Sequence, residues 1–326
     1  AHAERSVFFM QLSAVGFILV AIAMALARSV SFLVILSWWS GFWCSFFFVG
    51  FQLSMASLAS LSTDISVAAY NFSWSVGFAL GSLAEGVLLS HYPSVAVSPA
   101  VIGSLGILAG LWLVQRSRVK EPSDSAGGKS EGQRATRRSF VLIGWIGLAT
   151  VAFIGSGFRY LLPEIAVRRF SLSSSTTGNF FFLFFLLQSV VGLFLHRLSR
   201  WQYRFHHHLG ATFLGLTGCW LAFSLQGKTG LLAFVIFMGI YSGYGFYYGV
   251  LYSLKSSLSA RDISINEVLV GVTGVVGPLF LAAALKKATA SFFLACALLV
   301  LTAFLLQFSA WLKKAEGSVK KGMKEE

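Results

Sequence analysis

Ten apolar stretches, each close to the length a lipid bilayer demands, leave this chain few folds to choose from. They lie near 7–27, 32–57, 67–90, 98–116, 140–161, 177–197, 206–226, 230–253, 266–285 and 289–312. A helix crossing the hydrocarbon core needs about 20 predominantly apolar residues. Outer-membrane barrels instead alternate polar and apolar residues over shorter segments, which excludes them here. Charged residues make up only 11% of the 326, against 56% hydrophobic, whereas soluble domains carry about 25% charged. The chain therefore reads as an all-α polytopic membrane protein with about ten transmembrane helices.

The net charge of +13 does not indicate nucleic-acid binding, because the basic residues cluster in short segments between apolar runs. Placing the N-terminus in the cytoplasm puts most of them inside. The inner set is Arg5, the basic residues of 116–139, Arg197, Arg200, Arg204, Lys255, Arg261 and the lysines of the tail. Arg28, Arg168, Arg169, Lys228, Lys286 and Lys287 fall outside. That asymmetry sets both termini in the cytoplasm of a plasma (inner) membrane. Arg168 and Arg169 read as exposed loop charge. Cys44, Cys219 and Cys296 lie in apolar runs without ligand spacing, and His206-His207-His208 sits beside Arg204 as an interfacial basic cluster. Neither pattern calls for a metal or another cofactor.

The polar stretch QRSRVKEPSDSAGGKSEGQRATRRS (115–139) is rich in Ser, Gly and charge and reads as a flexible cytoplasmic linker. It divides the chain into a four-helix bundle (1–115), the linker (116–139), a six-helix bundle (140–314) and a charged tail (315–326). Two segments echo one another across this division. STDIS (62–66) leads into a helix with Gly77 and Gly81, and ARDIS (260–264) leads into one with Gly271, Gly274 and Gly277. Six spans separate them, so the repeat keeps its direction across the membrane, as in transporters built from parallel halves. Spans five and six then lack partners at the front. A 6+6 protein without its first two helices explains this, and a ten-helix protein is the alternative.

With these residues in view, the chain resembles the major facilitator superfamily. GFALGSLAEG (77–86) is similar to that family's fifth-helix motif GxxxGPxxGG. It keeps Gly77, Gly81 and Gly86, with Ser82 in place of proline and Glu85 in place of a glycine. The counterpart in the second half keeps Gly277-Pro278. Gly77, Gly81, Gly86, Gly274, Gly277 and Pro278 are accordingly expected at close helix contacts. The basic loop HRLSRWQYR (196–204) lacks the Asp and glycines of the family's loop motif. The resemblance implies a secondary active transporter or facilitator that moves a small solute by alternating access. Its partners would be that solute, a coupling ion and the lipid bilayer. A non-transporting, degenerate membrane scaffold is the alternative. An intramembrane enzyme is disfavoured, since HExxH is absent and all six His lie in loops or at span ends. No GxxxxGK[ST] motif provides for ATP.

The resemblance also implies that spans two, five and eight line a central cavity. Tyr241, Tyr244, Tyr248 and Tyr252 recur at helical spacing on span eight. Tyr244 and Tyr248, with Gln52 on span two, are therefore candidate substrate-pathway residues. Trp39 and Trp43 have weaker support. Glu85 is costly inside a bilayer, at about 2.5–3.5 kcal/mol near the centre. Under the resemblance it pairs with Arg159 as a gate across the halves, acts as a proton-coupling acid, or makes a structural contact. Glu267 reads as the end of a capping box, Ser264-x-x-Glu267, and Asp64 and Asp262 read as helix-entry caps near an inner gate. Reporter fusions at the linker and at Lys228 test the topology. The linker fusion is expected to report cytoplasm and the Lys228 fusion the opposite side.

Overall fold

The computed structural model describes residues 2–56, 62–92, 95, 97–117, 131–197, 202–256 and 260–322. Most of the expected linker (118–130), part of the 196–204 loop (198–201) and the end of the tail (323–326) lie outside the described residues, as does the side chain of Asp262.

Ten long helices account for the ten apolar stretches. They are α1 (His2–Leu26), α2 (Val30–Ala56), α3 (Thr63–His91), α4 (Ser98–Ser117), α5 (Glu131–Pro163), α6 (Ser174–Arg197), α7 (His206–Leu225), α8 (Gly227–Ser256), α9 (Ala260–Lys287) and α10 (Thr289–Gly322). Among the described residues, nine helices are long and apolar enough to cross a membrane, and Ser98–Leu113 is a shorter apolar one. Helices suit this setting because they satisfy their backbone hydrogen bonds internally where water is absent. Large apolar side chains such as Leu19, Trp38, Phe194 and Leu279 point outward and are exposed, as expected of a surface that faces lipid.

Two groups of helices form. In the first, α1 packs on α2 and α4; in the second, α5 packs on α8 and α9, and α7 on α8 and α10. Helix α3 joins the groups, with its most extensive contact against α6 and a further one against α8. Helix α2 meets α9 across the same seam.

Glycine permits these close approaches. A Cβ on Gly86 would come within 3.0 Å of Gly178 Cα, and one on Gly178 within 2.8 Å of the Ser82 carbonyl. On α8, Gly239 and Gly243 admit the α6 backbone at Phe184 and Gln188, while Gly245 and Gly249 admit Val151 and Leu148 of α5. A Cβ on Gly277 would strike the Phe153 carbonyl, and Ser156 Oγ reaches the Thr273 carbonyl at 3.2 Å. Around Gly77, Gly81 and Gly274, by contrast, nothing lies within 4 Å of a Cβ position.

Helices α5, α9 and α10 exceed their expected bounds the most. Helix α5 begins at Glu131 and, beyond Pro163, continues as a π-helical turn over Glu164–Arg169. Arg168 there pairs with Glu164 at 3.1 Å on the exposed surface. Arg169, expected as loop charge, donates to the Leu285 carbonyl at 2.8 Å and lies 3.3 Å from Thr289 Oγ1. It thus places a cation at the carbonyl end of α9, the favourable pole of the helix dipole. Helix α10 takes up most of the expected tail. Helix α9 starts at Ala260, so Ser264 lies inside it and the capping box is not formed.

Replacing Gly86 by Val forces a branched side chain onto the Gly178 backbone. Overpacking of this kind costs about 1–3 kcal/mol. Thermal denaturation in detergent is expected to show a lowered midpoint for Gly86→Val and an unchanged one for Gly81→Ala.

Candidate functional site between the helix groups

Helix α3 serves as a ruler for the polar contacts between the two groups. At 1.5 Å per residue, Tyr70, Ser75, Phe78 and Glu85 lie about 9, 16, 21 and 31 Å along it from Asp64.

At the first position, Asp64 Oδ2 pairs with Lys255 Nζ of α8 at 2.6 Å. Gln202, in the α6–α7 connection, completes a triangle. Its Oε1 accepts from Lys255 Nζ at 2.7 Å and its Nε2 donates to Asp64 Oδ1. The N-cap of α3 is Ser62, whose side chain accepts from the Ile65 amide. Asp64 therefore lies in the first turn, where its charge also suits the helix dipole. Both charged side chains are about four-fifths buried, more than a typical surface pair.

One step further, Gln52 of α2 is 1% exposed. Its Nε2 donates to Tyr70 Oη of α3 at 3.1 Å and to Glu267 Oε1 of α9. Among the described residues Glu267 is the only buried carboxylate. The short spacing to Ser264 suggested a local cap, but the carboxylate instead reaches across the seam. The third contact is a buried relay. Ser242 Oγ of α8 donates to Gln188 Oε1 of α6 at 2.8 Å, and Gln188 Nε2 donates to Ser75 Oγ at 2.9 Å.

Beyond Ser75 the seam becomes aromatic. Trp74 packs edge-on to Phe246 of α8 at 4.9 Å between ring centroids, and Phe78 stacks on Phe185 of α6 at 5.1 Å. The guanidinium of Arg159 lies over Phe78 at 5.3 Å and over Tyr160 at the same distance.

Glu85 is exposed near the far end of α3, and among the described residues it makes no ion pair with Arg159. Tyr244 and Tyr248 stand on the side of α8 that faces α7, with ring centroids 5.3 and 5.7 Å from that of His208. They border a cavity inside the second group with about 10 Å³ open to the centre of a water molecule, shared with Thr212 and Gln307. That is room for about one water. Within 241–250 only Phe246 retains partial exposure. Sequence periodicity singled out the tyrosine face and passed over Phe246, because the spacing marks a shared face and not its direction. Among the described residues no cluster of three His, Cys, Asp or Glu is arranged to hold a metal.

The Asp64–Lys255 pair, with its solvent-screened share discounted, contributes about 1 kcal/mol. Lys255→Met is expected to raise maleimide labelling of a cysteine at Ser66, now buried behind the pair, by about fivefold.

The sequence profile described as Major Facilitator Superfamily matches residues 5–262. No curated protein sequence matches the chain. Several solved structures share its fold. The human organic anion transporter MFSD10 (TETRAN) is 19% identical with a TM-score of 0.57, over 91% of this chain and 76% of that one. The E. coli fucose:proton symporter FucP is 14% identical with a TM-score of 0.55, over 95% and 83%. A bacterial homologue of the iron transporter ferroportin, in an outward-facing state, is 16% identical with a TM-score of 0.54, over 97% and 83%.

Proposed function

Because the chain belongs to the Major Facilitator Superfamily, and is thus an integral membrane transporter and not an enzyme, we propose that it carries a small solute by alternating access, with Glu267 as the switch in the seam. Solute transport by rocking of two helix groups about a central site is the general mode of such folds. The observation that carries the reading is the bond from Gln52 to Glu267, which ties the groups through a carboxylate shielded from water.

A charged acid in the membrane interior costs about 2.5–3.5 kcal/mol, which a donor such as Gln52 partly offsets. Protonation removes the charge that Gln52 Nε2 binds and weakens the tie. The charge asymmetry assigns this end, with its Asp64–Lys255–Gln202 triangle, to the cytoplasm. The state described is then closed inside. The FucP neighbour is a proton symporter, and proton coupling through Glu267 fits this arrangement. Glu85, exposed and apart from Arg159, is not needed for it.

Spin labels test the reading without knowledge of the solute. One pair, at Ser62 and Arg204, spans the closed end; the other, at Ser29 and Lys286, spans the opposite end. Acidification is expected to lengthen the first distance and shorten the second. Glu267→Gln is expected to remove that response. Distances that never change in opposite senses would leave a static scaffold as the better description.

A further inference from the structure

The Arg159 guanidinium is a cation within a membrane-spanning helix, and among the described residues no carboxylate pairs with it. Its contacts are the faces of Phe78 and Tyr160. Ring faces attract a cation but do not use its five fixed N–H donors. Phe78 lies on α3, the helix that joins the two groups, so the guanidinium of α5 sits at the seam between them. One helical turn from Phe78 and packed against it, Trp74 has a buried indole N–H without a hydrogen-bond partner among the described residues. A buried donor left unpaired calls for an acceptor that arrives with a ligand or a conformational change. Trp74, Phe78 and Phe246 form an aromatic wall contributed by both groups, and each keeps partial exposure. Glu267, the buried carboxylate of the seam, is already bonded by Gln52 and lies at a different level, beside Tyr70.

We propose that Arg159 recognises the anionic group of a solute whose flat apolar body rests against Trp74, Phe78 and Phe246. This rests on the transporter reading and specifies its substrate class as organic anions, carboxylates above all. The chemistry follows from the donor set. A guanidinium presents paired N–H groups that match a carboxylate in bidentate geometry, and aromatic faces accept planar apolar bodies. Because the wall is shared between the groups, a bound anion also contacts both, as a solute in a rocking transporter must. A phospholipid headgroup offers the same anionic chemistry, but the aromatic wall lies between the groups and not on the lipid-facing surface.

Isothermal titration of the purified full-length protein, in dodecyl maltoside micelles without phospholipid, tests this with 2-naphthoate and its neutral isostere 2-naphthamide. The wild type is expected to bind naphthoate at least about tenfold more tightly than naphthamide. Arg159→Gln is expected to erase the preference, Arg159→Lys to keep part of it, and Trp74→Ala to weaken both ligands. A wild type without preference, or an Arg159→Gln variant that retains it while eluting as a single species, overturns the proposal. Displacement of naphthoate by added phosphatidylglycerol overturns it too, assigning the guanidinium to lipid. Naphthoate exchange in proteoliposomes separates the two readings. Arg159-dependent binding without exchange leaves the anion site standing and removes the transport reading.

Discussion

Glycine against glycine, Gly86 facing Gly178, brings α3 into backbone contact with α6, and the placement of the polar side chains follows from that seam. With the helix axes so close, short side chains suffice to cross it. Ser75 reaches Gln188, and Gln188 in turn reaches Ser242. Larger residues at these positions would hold the groups apart and leave the same hydroxyls and amides facing hydrocarbon. In a medium without water, unsatisfied polar groups are expensive. Close packing and polar pairing are therefore one requirement.

The seam is not uniform along its length. One end holds charges in a triangle, the next level a buried amide bonded to a tyrosine and a carboxylate, and the level beyond that a neutral relay. Beyond it lie aromatic rings, with the Arg159 guanidinium over Phe78, and then the Gly86–Gly178 contact. This order grades the interaction from strong and local to weak and adaptable. A closed gate needs the former, because few contacts must hold against thermal opening. A solute site needs the latter, because its partner must also leave. In the rocking motion proposed for this chain, the charged triangle would be released at one extreme.

Much of the fold was legible in the sequence. Stretches of about twenty apolar residues become helices in a bilayer almost irrespective of detail, because no other local structure satisfies the backbone there. The functional site was only partly legible. Gln52, offered on span two with weaker support, lies at the seam between α2, α3 and α9. Tyr244 and Tyr248, favoured by their helical spacing, face the interior of the second group. Helical periodicity identifies which residues share a face, but the azimuth of that face is a property of the neighbours. Glu267 was assigned to a local cap since the helix start was placed six residues late. An acid in a first turn caps; an acid in the second turn must find a partner elsewhere.

The amino-acid sequence alone determined the ten apolar stretches that become helices and the clustering of basic residues between them. Each of these depends on residues near one another in the chain or on a sum over it. Tertiary structure alone decided which charges meet. Asp64 found Lys255, Glu267 found Gln52, and Arg159 found aromatic faces and no carboxylate. Such pairings join residues up to 215 positions apart, and they depend on the rotation of each helix about its axis, which close packing between neighbours sets.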